Sequence, residues 1–162
     1  PTSSKSKTLV LASGTETEYY DTELEAWKKA SICQMGSGWH GIKGSQWVWV
    51  RETVSVEEAK TGSQHKFRIK FDLPINNANA IHRAEILLRS DDNCHITVNS
   101  ASLRQEYGGA EYPDPFLVDI EQFIHDGENT ISFELISYAQ PDAKDPGENP
   151  TGLIYRLHIE YS

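Results

Sequence analysis

Phe67-Arg-Ile-Lys-Phe-Asp-Leu-Pro74 alternates apolar and polar residues without a break until its final proline. A period of two puts Phe67, Ile69, Phe71 and Leu73 on one face of an extended strand and Arg68, Lys70 and Asp72 on the other. Pro74 has no N–H to give to a ladder and ends the run. The same period recurs downstream. Ala84, Ile86 and Leu88 share a face, Ser90-Asp91-Asp92-Asn93 reads as a turn, and Ile96 and Val98 follow, so a hairpin is predicted here. After a loop bearing Gly and Pro, Phe116-Leu117-Val118 forms a short strand. Asp126-Gly127-Glu128-Asn129 turns the chain into Ile131, Phe133 and Leu135. The final strand sets Leu153, Tyr155, Leu157, Ile159 and Tyr161 against Arg156, His158 and Glu160.

Upstream, 8–11 and 46–51 read as strands, the second anchored by Trp47 and Trp49 on one face. Helix signals are few. Residues 22–30 are predicted to form two turns, capped by Asp21 or Thr22 with acidic residues in the first turn, and 119–124 to form one. About eight strands with at most one or two short helices predict an all-β fold, a two-sheet antiparallel β-sandwich of the jelly-roll type. It is expected to occupy 8–162 as one domain, behind a flexible segment at 1–7.

The bulk numbers agree with a single packed domain. The chain has 162 residues, and its four Trp and seven Tyr compensate for a hydrophobic fraction of 38%, because each large ring buries roughly 150–250 Å². A formal net charge of -9 argues against nucleic acid and anionic membranes, which attract positive surfaces. No apolar run approaches the roughly 20 residues of a membrane-spanning helix, so no membrane insertion is expected. Pro1-Thr-Ser-Ser-Lys-Ser-Lys7 lacks the apolar centre of a signal peptide. A start at Pro1 suggests a processed product or a domain of a longer protein. Cys33 and Cys94 are too few for a disulfide framework and are not spaced as zinc ligands. Two buried thiols or a single disulfide both fit.

The order Phe67-Arg-Ile-Lys-Phe-Asp-Leu-Pro, Ala84-Glu-Ile-Leu-Leu-Arg-Ser-Asp-Asp-Asn, Ile96-Thr-Val-Asn and Asp119-Ile-Glu-Gln-Phe-Ile-His-Asp-Gly-Glu-Asn-Thr-Ile resembles galactose-binding-like jelly rolls. Similar segments occur in the sugar-binding domains of bacterial β-galactosidases and β-glucuronidases. Ser45-Gln-Trp-Val-Trp and Asn149-Pro-Thr-Gly-Leu-Ile also resemble parts of modules in bacterial surface and phage tail proteins. The resemblance implies a sandwich scaffold and a sugar-binding or accessory role. Galactose-binding-like domains often hold a structural calcium, and Asp142, Asp145 and Glu148 supply hard oxygen ligands at short spacing for one. A solvated acidic loop explains the same residues. No other cofactor is expected.

No catalytic signature is present. Gly36-Ser-Gly-Trp-His-Gly41 matches a dinucleotide fingerprint in letters, but a strand rather than a helix follows it. The six histidines are dispersed, unlike metal sites with local spacing, and no carboxylate pair stands out for glycoside hydrolysis. The chain therefore reads as noncatalytic. If strands alternate in direction, the connections after the first, third, fifth and seventh share one end. They carry Trp27, Trp39 and His40, then Asn76 and Asn79, then Tyr107, Tyr112 and Asp114, then Tyr138, Asp142, Asp145, Glu148 and Asn149. Rings beside amides and carboxylates suit a sugar, whose C–H face stacks while its hydroxyls hydrogen-bond. The expected ligand is a carbohydrate or cell-surface glycan, with Trp39, Tyr107 and Tyr112 as stacking residues, Asp114, Asp142 and Asn149 as polar contacts, and His40 and Tyr138 beside them. The setting is expected to be extracellular, at a cell surface or on a virion. The alternative is a fibre, tail or surface-layer domain whose loops contact a protein partner or another copy of the chain.

Overall fold

The computed structural model describes residues 6–33, 41–51, 56–75, 80–91, 93–108, 115–139, 141–142, 144 and 152–162. Twelve strands run through them: β1 Lys7–Ala12, β2 Glu18–Asp21, β3 Ala26–Lys29, β4 Ser31–Ile32, β5 Val48–Trp49, β6 Ser63–Leu73, β7 Ile81–Asp91, β8 Asn93–Val98, β9 Ala101–Gly108, β10 Phe116–Asp119, β11 Gly127–Ser137 and β12 Gly152–Tyr161. A short helix, α1 Val56–Thr61, precedes β6, and a 3₁₀ turn at Glu121–Phe123 follows β10. The first sheet has the order β10-β7-β12-β5-β4, with β1 also on β12. The second has the order β3-β2-β6-β11-β8-β9. All pairings are antiparallel, and the two sheets form a sandwich, as the alternation predicted.

The inward faces are those the period of two selected. Phe67, Ile69, Phe71 and Leu73 of β6, with Ile131, Phe133 and Leu135 of β11, face Ala84, Ile86 and Leu88 of β7 and Leu153, Tyr155, Leu157 and Ile159 of β12. Phe133 and Tyr155 stack across the core at 4.7 Å between ring centroids and 17° between planes. The Tyr155 hydroxyl, buried with its ring, meets the Thr17 hydroxyl at 2.7 Å. Burial pushes the Tyr155 phenol up, against the smaller pull of Thr17. Ser13 Oγ donates to the Gln46 carbonyl (2.7 Å) and accepts the Tyr155 N–H (3.0 Å), while Ser45 Oγ donates to the Tyr155 carbonyl (2.7 Å). These bonds tie the irregular segments around Ser13 and Ser45 to the central strand β12 and satisfy polar groups away from water.

Three expectations are corrected. First, 22–30 is a turn and a strand rather than a helix. Asp21 does cap: its Oδ1 accepts the N–H groups of Glu23 (2.9 Å) and Leu24 (3.1 Å). Glu25 then adopts φ 51°, a left-handed conformation that a helix cannot propagate through. The chain reverses, pairing Asp21 with Ala26. Second, 84–98 is not a hairpin. β7 belongs to the first sheet and β8 to the second, so the chain crosses the sandwich between Asp91 and Asn93. Third, the loop expected after Val98 contains β9, in which Tyr107 lies opposite Cys94.

The 3₁₀ turn matches the short helical element expected within 119–124. Cys33 and Cys94 are both buried thiols and do not form a disulfide with each other, which removes the disulfide alternative. Burial pushes the Cys33 thiol up to about 12 and raises that of Cys94 as well.

Candidate functional site

The register defines two poles. At one, β7 ends at Asp91 and β8 begins at Asn93, with Gly108 of β9 and Ile136 of β11 opposite Asn93 and Gly152 of β12 opposite Asp91. The connections after β9 and after β11 start here. The connection after β6, which contains Asn76 and Asn79, starts at the other pole, where Leu73 pairs with Gly127. The unrecognised strand β9 adds one reversal and separates it from the fifth and seventh connections. Trp27 is not in a loop: it lies on the edge strand β3, opposite Tyr20 of β2.

Tyr138 is at the first pole, just past the end of β11. Its ring is 52% exposed, and Asn93 Nδ2 donates to its hydroxyl at 2.7 Å. A phenol held from its polar end presents its apolar body to a ligand. At the end of β7, Arg89, Ser90 and Asp91 are buried, and Ser90 Oγ donates to the Tyr107 carbonyl (2.9 Å). The expectation for Tyr107 as a stacking platform is corrected. Its ring points inward from β9, is 8% exposed, and meets Phe116 edge-on at 5.5 Å, so it closes the core. Burial raises its phenol above the ordinary value. Asp142 is exposed. Trp39, His40, Tyr112, Asp114, Asp145, Glu148 and Asn149 lie outside the described residues.

Among the described residues, no group of three or more His, Cys, Asp or Glu is placed to hold a metal ion. Asp142 is the one described member of the expected calcium set, and no role is built on that ion.

α1 is fastened at the same pole by Glu58, a residue sequence reading did not single out. Trp49 Nε1 donates to Glu58 Oε1 (3.2 Å), His65 Nε2 lies 3.3 Å from the same oxygen, and Arg51 lies 3.4 Å from Oε2. Burial works against its charge, but His65, Ser63, Arg51 and Trp49 together outweigh burial and hold the carboxyl below its ordinary 4.5. A depressed carboxylate contributes stability above its unfolded-state value and loses it as pH falls through the folded value. Glu58→Gln is accordingly expected to destabilise the protein near neutrality by about 1–3 kcal/mol. The gap should shrink below the ordinary 4.5. Urea unfolding of both proteins across that range measures it, and a gap independent of pH would remove the ionised clamp. The sequence signal lay in Trp49 and His65, each read separately.

The architecture is a sandwich of two six-stranded antiparallel sheets. Solved structures with the same arrangement include a β-glucuronidase from glycoside hydrolase family 2 (TM-score 0.52, 14% identity, 98% of this chain and 18% of that one). A Ruminococcus gnavus β-glucuronidase is similar over 98% of this chain and 30% of its own, at TM-score 0.51 and 14% identity. This chain thus spans less than a third of either enzyme. A family 35 carbohydrate binding module from Clostridium thermocellum aligns over 93% of this chain and 97% of its own, at 13% identity and TM-score 0.46. No protein-family model and no curated protein sequence matches the chain.

Proposed function

We propose that this chain is a noncatalytic carbohydrate-binding module that serves a larger extracellular protein and takes its glycan at the Tyr138 pole. The observation that carries this reading is the half-exposed Tyr138 ring, held through its hydroxyl by Asn93 at 2.7 Å. It stands where the connections after β9 and β11 begin. Loops on a rigid scaffold are where binding residues concentrate, and a fixed ring loses little conformational freedom when a sugar stacks on it. The fold supports the reading only as a scaffold, since one fold hosts many functions.

A glycan array tests it directly. At least one glycan should bind, with Tyr138→Ala weakening that binding about tenfold through loss of stacking. Asn93→Ala should weaken it less, because the ring remains and only the hydrogen bond to its hydroxyl is lost. An array without a single binder, or a bound glycan indifferent to Tyr138→Ala, overturns the assignment.

A further inference from the structure

The outer face of the second sheet carries an aromatic pair. Tyr20 and Trp27 are cross-strand partners on β2 and β3, with ring centroids 5.3 Å apart at 62°. The Arg68 guanidinium lies 3.9 Å from the centre of the Trp27 ring, and its Nε donates to Glu18 at 3.0 Å. The indole is therefore held in one orientation on a face whose other described residues are mostly polar, with Ile136 of β11 an apolar exception, and it is only partly buried.

Two rows of side chains cross the sheet beside this pair. One runs Lys29, Glu18, Arg68, Ser132, Thr97 and Ser102, each the register partner of the next, across all six strands. The other runs from Trp27 and Tyr20 toward Lys66, Glu134 and His95, the last three also register partners in turn. None of these residues is buried. At strand spacings of about 4.8 Å the six strands give a track about 24 Å wide. That is long enough for an oligosaccharide rather than one sugar.

We propose that this track is a second carbohydrate-binding surface, which takes an extended neutral glycan chain across the strands with one sugar against Trp27. The inference rests on the reading of the chain as a carbohydrate-binding module, but uses different residues. The occupant follows from the chemistry of the rows. Hydroxyls, carboxylates and amines supply donors and acceptors for sugar hydroxyls along the track, and the pinned ring supplies a stacking surface at one end. The cations Lys29, Lys66 and Arg68 stand close to the anions Glu18 and Glu134, so the face lacks the single-sign field that would select a charged partner. An apolar protein partner would find, among the described residues of this face, the aromatic pair at one edge and the partly buried Ile136, well short of a continuous apolar patch.

Electrophoresis through gels containing galactan, mixed-linkage β-glucan or arabinoxylan tests the proposal. At least one polysaccharide should retard the chain. Trp27→Ala should reduce that affinity about tenfold, and Glu134→Ala and His95→Ala several-fold. The last two sit on β11 and β8, away from the β2–β3 hairpin, so they carry the test even if Trp27→Ala loosens that hairpin; thermal unfolding of each variant identifies such loosening. Retardation unchanged in Glu134→Ala and His95→Ala, or none of the three gels retarding the chain, overturns the proposal. Retardation relieved by Tyr138→Ala alone leaves the polar site standing and removes this one. Relief by the sheet variants alone does the reverse. Concentration-dependent self-association that these variants abolish, without glycan binding, assigns the face to a second copy and also overturns the proposal.

Discussion

Phe133→Ala is expected to cost about 3–5 kcal/mol of unfolding free energy, enough to remove much of the stability of a domain this size. Phe133 has no exposed surface and lies at the centre of β11, between Phe67 of β6 and Ile96 of β8 in the register. It also bridges the two sheets through its stack with Tyr155. Removing the ring loses its transfer free energy and opens a cavity between two hydrogen-bonded sheets, which cannot close over it without breaking register. Phe133→Leu keeps most of the volume and should cost much less. Urea unfolding of the three proteins gives the comparison. Equal stabilities for wild type and Phe133→Ala would contradict the placement of this residue at the centre of the core.

The second large effect is expected at Gly62. Gly62 and Gly127 have nearly the same backbone conformation, φ +76° and +79°, in a region that favours glycine. On conformation alone, alanine at either would cost about 1 kcal/mol. Their surroundings differ. A Cβ at Gly127 meets nothing within 4 Å, whereas at Gly62 it would lie 2.6 Å from the Ser137 carbonyl oxygen and 2.9 Å from the Ala139 nitrogen. Both are backbone atoms that flank Tyr138, and neither can rotate away. Gly62→Ala should therefore cost about 2–4 kcal/mol, as conformational strain adds to overpacking. It should also displace Tyr138 and weaken any glycan held at that pole, whereas Gly127→Ala should leave glycan binding unchanged. Thermal unfolding and glycan titration of both variants separate the two contributions, and equal losses in the two would sink the clash.

The alternation of apolar side chains made the core legible, because burial on one face of a strand leaves a period of two. That period does not tell whether the next strand lies beside its predecessor or across the core. Ile96 and Val98 therefore suggested a hairpin partner for Ala84, Ile86 and Leu88, and the structure places them in the facing sheet. β9 carries the same period thinly, in Ala101, Leu103 and Tyr107 among polar neighbours, and so reads as a loop. At 22–30 the capping chemistry of Asp21 was legible, but the left-handed Glu25 was not, since a glutamate gives no sign of positive φ. Of the candidate site, Tyr138 was visible as a loop aromatic. Its hold on Asn93 was not, because that contact depends on which strands end together.

The pairing of β1 with β12 sets Lys7 opposite Tyr161. These strand ends lie together at the pole opposite Tyr138, separated from it by the length of β12, about 30 Å. A partner domain fused at this end of β1 or β12 would therefore start about 30 Å from Tyr138 and leave the Tyr138 pole uncovered.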